Sequence, residues 1–128
     1  MNKLVKHIKK DDLYSEFLKT LNGITDLPNR ELQLLTLLVR LQVEPQLSDN
    51  DPEDGVVSAK NRKYIETKLG ITADNQSRYF KKFKELGYLV KGKFDKQWLV
   101  NQILIPQVIK DRVQITIILR IEDEESRN

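Results

Sequence analysis

The chain has no cysteine and a single histidine, His7. The first absence removes a disulfide framework, a thiol nucleophile and any Cys-based zinc site; the second removes His-pair metal sites and most triad chemistry. No apolar run approaches the ~18 residues that a membrane span requires, and the opening MNKLVKHIKK lacks a signal-peptide core before Asp11 and Asp12. A soluble, cytoplasmic protein without membrane attachment is expected. No set of nucleophile, base and metal ligands stands out either, so an enzyme is disfavoured, and no cofactor, metal or small-molecule ligand is expected. What is present is 128 residues, 39% apolar and 32% charged, with the Leu, Ile and Val in periodic runs, enough to close one core and too little for two.

The formal net charge of +3 conceals a strong segregation. Residues 60–96 hold eleven basic residues, Lys60, Arg62, Lys63, Lys68, Arg78, Lys81, Lys82, Lys84, Lys91, Lys93 and Lys96, against Glu66, Asp74, Glu85 and Asp95, a net +7. The segments on either side are acidic on balance. A local excess of this size suits a polyanionic partner. A solvated lysine-rich face gives the same count, so charge alone does not choose.

Asp11 and Asp12 can cap a short helix whose Leu13, Phe17, Leu18 and Leu21 recur at helical spacing until Asn22-Gly23 stops it. Residues 28–42 carry two apolar stripes, Leu32, Leu35 and Val39, and Leu34, Leu37, Leu38 and Leu41, which leave between them only a narrow polar strip of Gln33, Thr36 and Arg40. Such a helix is hidden on nearly all sides, at the centre of the domain or in a dimer seam. The acidic stretch EPQLSDNDPEDG, residues 44–55, is a loop whose charge keeps it off a nucleic-acid surface. Its Asp49, Asp51 and Glu53 suggest a calcium loop, but Gly55 falls at the seventh position instead of the sixth and Lys60 stands where a bidentate Glu belongs.

Two helices follow in close succession. The first, residues 59–69, ends at Gly70; Ile71 is an apolar plug, and Thr72 is the N-cap of the second, residues 73–86. On that helix Ala73, Gln76, Tyr79, Phe80 and Phe83 share one face, and Asp74, Asn75, Ser77, Arg78, Lys81, Lys82 and Glu85 the other. After Gly87, residues 88–90 and 98–100 form a hairpin around the tip KGKFDKQ, and the apolar run continues through Ile103, Leu104 and Ile105 to Pro106. Residues 113–121 alternate like a half-buried strand, with Ile118 the exception, and the acidic end has no apolar anchor.

The contiguous stretch LGITADNQSRYFKKFKELGYLV, residues 69–90, resembles the helix-turn-helix and first wing strand of winged-helix DNA-binding proteins. It keeps turn, cap, core and exit glycine in phase. The resemblance implies an α+β winged helix-turn-helix, a three-helix core with a β-hairpin wing: residues 27–41 would be its first helix, Val56-Val57 a short first strand and residues 91–96 the wing. It covers roughly residues 27–105, leaving out the N-terminal arm and the final strand. The expected organisation is therefore an arm with a short helix (1–26), a winged-helix domain with an extra C-terminal strand (27–122) and a disordered acidic tail (123–128).

The resemblance also implies that the second helix of the motif enters a major groove, where its first turns meet base edges and flanking cations meet phosphates. Asp74, Asn75, Ser77 and Arg78 are then base-reading candidates, Asn75 for adenine, Arg78 for guanine and Ser77 for base or phosphate. Gln76 is either a further adenine reader or, since it is in phase with Phe80 and Phe83, a buried amide at a position where the family is apolar. Arg62, Lys63, Lys81, Lys82, Lys91, Lys93 and Lys96 are candidates for phosphate. Tyr79, Phe80, Phe83, Tyr88 and Trp98 contain the makings of a single-strand stacking platform. Their phasing favours packing, with only Tyr79 and Trp98 at the border.

The expected function is double-stranded DNA binding by a dimeric transcription regulator. Paired half-sites multiply specificity, and the Leu-rich helix, the N-terminal helix and the last strand are more apolar than one small domain needs. The segment WLVNQILIP, residues 98–106, is similar to the wing exit of plasmid and phage replication proteins, which makes origin binding in DNA replication an alternative. A winged-helix module that binds protein and no DNA is another.

Overall fold

Four helices and one two-stranded antiparallel hairpin make up the regular structure, an α+β arrangement, in a computed structural model that describes residues 3–123. In chain order they are α1 (Leu13–Thr25), α2 (Asn29–Val43), α3 (Ala59–Leu69), α4 (Ala73–Glu85), β1 (Leu89–Lys91) and β2 (Trp98–Val100). The acidic tail expected at 123–128 lies outside the described residues, except for Asp123. Among the described residues no helix is long and apolar enough to cross a membrane.

α2 is the spine. Its two leucine stripes bury Leu34, Leu35, Leu38, Val39 and Leu41 almost completely, each contributing ~1.5–3 kcal/mol by removal from water. Around it pack Phe17 and Leu18 from α1, Ile65 from α3, Phe80 and Phe83 from α4, and Leu89 and Val100 from the hairpin. The N-terminal helix is thus seated on the same core as the rest. It also runs further than Asn22-Gly23 suggests, to Thr25. A helical glycine costs about 1 kcal/mol, but the Asn22 side chain accepts from the Leu27 N–H and the Thr25 hydroxyl and donates to the Leu27 carbonyl, which fastens the last turn. Asp12 makes no side-chain cap there; a 3-10 turn, Lys10–Asp12, leads in instead.

The short connections obey local rules. Ser58 caps α3 by accepting from the Asn61 N–H, Gly70 closes it in the left-handed region at φ 67°, and Thr72 caps α4 by accepting from the Asn75 N–H. Past the end of α4, Gly87 at φ 79° closes the helix, with Tyr88 N–H donating to the Phe83 carbonyl and Gly87 N–H to that of Lys84, a Schellman arrangement that turns the chain into β1. The hairpin pairs Leu89 with Val100, Val90 with Leu99 and Lys91 with Trp98.

Three expected features differ. Val56-Val57 is not a strand: a single bond, Val56 N–H to the Trp98 carbonyl at 2.9 Å, is all that remains of it. The Gln42 side chain takes part of its place, accepting from the Val100 N–H and donating to the Val100 carbonyl, so α2 itself closes that edge of β2. The apolar run after β2 becomes a 3-10 turn, Gln102–Leu104, started by the Asn101 side chain. The extra C-terminal strand is absent. Among the described residues, 113–121 join no ladder, and a lone bridge between Ile109 and Arg112 precedes them. A period of two shows which face a strand would bury, and a ladder still needs a partner within reach.

The acidic loop is ordered by two 3-10 turns, Pro45–Leu47 and Pro52–Asp54, and is fastened to the hairpin. Gly55, at φ 74°, lies so close to β2 that a Cβ would come within 2.6 Å of the Trp98 carbonyl oxygen, which excludes every other residue. The buried Gln97 side chain donates to the Pro52 carbonyl from the hairpin side. The loop therefore borders the hairpin. Among the described residues no group of three or more His, Asp or Glu could hold a metal ion. Asp51 instead caps the Pro52–Asp54 turn, and Asp49 faces Lys60 at 3.5 Å.

Candidate nucleic-acid interface

The orientation of α4 is set from its buried side. Phe80 and Phe83 reach the core, and Gln76 beside them is 0% exposed. Its amide nitrogen donates to the Arg62 carbonyl of α3 and to the Ile71 carbonyl of the connecting turn, both at 2.9 Å. Gln76 is thus the buried amide of the two alternatives, tying α4 to the helix before it, and is not a base reader. Its Oε1 has no hydrogen-bond partner. Ala73, expected on this face, is exposed, because the first turn of α4 projects beyond the core.

With that side fixed, Asp74, Asn75, Ser77, Arg78 and Lys81 are all turned outward and exposed. They are not independent. Arg78 donates from Nη2 to Asn75 Oδ1 at 2.6 Å, one helical turn away, and its guanidinium lies 5.6 Å from the centre of the Tyr79 ring. Asn75 needs Oδ1 as well as its amide nitrogen to pair with both atoms of an adenine edge. Arg78 must let go for that, or keep the bond and use its other donors.

Ser77 is engaged by Arg62. The Arg62 guanidinium donates to the Val57 carbonyl at 2.9 Å and to Ser77 Oγ at 3.2 Å, and sits 5.2 Å from the centre of the Phe80 ring. It is a half-buried brace between α3 and α4 as well as a cation, which its place among the phosphate candidates did not reveal.

The candidate lysines divide into two groups. Lys82 lies over α2, with its ammonium 2.8 Å from Glu31 Oε1 and bonded at 3.1 Å to Oε2. The Glu31 side chain is only 8% exposed, so this lysine neutralises a buried carboxylate. Lys63, Lys81, Lys91, Lys93 and Lys96 are exposed. Lys91 stands 5.5 Å from the Trp98 ring centre, and Lys93 5.8 Å from that of Phe94.

Lys84 was missing from the sequence-derived set. It projects toward the hairpin, 4.3 Å from the centre of the Trp98 ring. Its pKa is lowered from the ordinary lysine value by burial first, and then by the charges of Arg62 and Lys91. Those influences mark Arg62, Lys84 and Lys91 as one cationic corner between α4 and the hairpin, floored by the Trp98 and Phe80 rings. A signal for it existed: Lys84 is seven residues after Ser77, two turns along the same side of α4. Trp98 serves as the floor of that corner, and Tyr79 is half-buried, so the aromatic residues form no open stacking platform.

The outer ridge of α4 thus offers hydrogen-bonding groups of both kinds, and the hairpin flank offers concentrated positive charge. No family model, no curated protein and no solved structure matches this chain.

Proposed function

We propose that the chain is a winged helix-turn-helix protein that binds double-stranded DNA, with α4 in the major groove, the hairpin as its wing, and two copies acting together in the regulation of transcription. The observation that carries this reading is the composition of one continuous surface. Asp74, Asn75, Ser77 and Arg78 stand exposed on the first two turns of a helix, and beside them Arg62, Lys84 and Lys91 are held without a carboxylate partner among the described residues. An α-helix fits the width of the major groove, and donors and acceptors on its first turns match base edges. Cations on its flank match phosphates.

Lys81 at the ridge, Lys63 on α3 and Lys91, Lys93 and Lys96 on the wing supply the remaining phosphate contacts. Lys82 does not. The acidic loop at the root of the wing bounds the surface and limits how far the duplex extends along that side.

Binding of the full chain to duplex DNA of random sequence, measured across salt, tests the proposal. With several phosphate contacts, affinity is expected to fall about tenfold or more over a few-fold rise in salt. Absent or salt-insensitive binding would overturn it and favour a protein-binding module.

A further inference from the structure

Residues 113–121, VQITIILRI, carry Val113, Ile115, Ile117, Leu119 and Ile121 at the two-residue period that would set them on one side of a strand. Val113 and Ile115 are half-buried against the core. Along these odd positions exposure then climbs, from 46% at Ile117 to 83% at Leu119 and 98% at Ile121, while Ile118 is 68% exposed. Among the described residues, no backbone N–H or C=O group of 113–121 is hydrogen-bonded. A run of β-branched residues with both its backbone groups and its apolar side unmatched has the chemistry of a strand lacking its neighbour. β2 cannot supply one, because its outer edge is already taken by Val56 and Gln42.

We infer that the neighbour is the same segment of a second copy, paired antiparallel about a two-fold axis through Ile117. The inference rests on the dimeric half of the proposed function and not on its DNA half. The sequence is self-complementary in this register: Val113 faces Ile121, Ile115 faces Leu119 and Gln114 faces Arg120. Neighbouring registers fail. A slip of one sets Val113 against Arg120, and slips of two set either Arg112 against Arg120 or Val113 against Asp123. The gradient of burial points the same way. The supported end of one segment, Val113 and Ile115, lies beside the unsupported end of the other, so each copy's core covers what its partner leaves exposed.

The lack of cysteine makes the axis directly testable. Ile117→Cys places the only thiol of each copy on the two-fold, where paired Cα atoms lie about 4.5–5.5 Å apart, inside disulfide range. Ile121→Cys places them ~26 Å apart, eight strand residues. Under mild oxidation the first variant should become a covalent dimer on a non-reducing gel and the second should not. In sedimentation at micromolar concentration the unaltered chain should be a dimer, and Ile117→Asp should weaken association by about tenfold or more through like charges set opposite each other. Equal cross-linking of the two cysteine variants, a monomeric unaltered chain, or an Ile117→Asp chain that still dimerises would overturn the ribbon. The two proposals fail separately. A chain that cross-links at 117 but binds no duplex keeps the ribbon and loses DNA, whereas one that binds duplex as a monomer keeps DNA and loses the ribbon.

Discussion

On the α2 side of α4, the Lys82 ammonium lies 2.8 Å from the buried carboxylate of Glu31; on the hairpin side, Lys84 lies 4.3 Å from the centre of the Trp98 ring, beside Arg62 and Lys91 and, among the described residues, in no salt bridge. The two lysines are two residues apart and contribute equally to the formal charge. One spends its charge inside the protein, holding α4 to α2, and the other adds to an outward field while resting on an aromatic floor. A count of basic residues measures neither. The available charge of a surface depends on which cations already have partners, and here it is concentrated on the hairpin flank.

The largest effect is expected on the ridge between these flanks. Arg78→Ala should weaken binding to preferred duplex sites by about 1–3 kcal/mol more than to random ones, measured by parallel titrations. Equal losses on both would make Arg78 a phosphate contact and extend the cationic flank onto the ridge. Next is Lys82→Ala, expected to lower stability in urea unfolding by about 1–2 kcal/mol, because Glu31 keeps its burial and loses its partner. Adding Glu31→Gln should recover part of that loss. A Lys82→Ala chain that folds normally but binds duplex as poorly as a hairpin-flank variant would break the comparison.

Gln76→Leu should cost about 1 kcal/mol of stability, since it removes two hydrogen bonds to backbone carbonyls while relieving an unpartnered buried oxygen. The smallest effect sharpens the other flank. Burial, Arg62 and Lys91 lower the pKa of Lys84 in the folded chain, so the unfolded chain holds that proton more tightly. Stability is therefore penalised at every pH below the folded pKa and recovers as pH rises from there toward the ordinary lysine value of 10.5. Lys84→Met should raise the melting temperature slightly at neutral pH and abolish that recovery, while weakening duplex binding.

Much of the fold was legible because local rules agreed with one another. The end of α3 and the start of α4 follow from Gly70 and Thr72, one in the left-handed region and the other an N-cap. The double leucine stripe announced a buried α2. What was not legible depended on distant partners. Glu31 and Lys82 are 51 residues apart, and nothing local to either says that they meet. Gln42 replaces the first strand by reaching Val100 across 58 residues. Alternation in 113–121 could not say whether a neighbouring strand exists in the same chain. Lys84, by contrast, lay within reach of the sequence, in its seven-residue spacing from Ser77.

The most direct test is the slope of log affinity against log salt for duplex binding by the unaltered chain, by Lys84→Ala/Lys91→Ala and by Lys82→Ala. Each lysine on a phosphate contributes about one to that slope, so the double variant should lose about two while Lys82→Ala keeps the original value. Equal slopes for all three chains, or a loss confined to Lys82→Ala, would contradict the assignment of the hairpin flank as the DNA-facing charge.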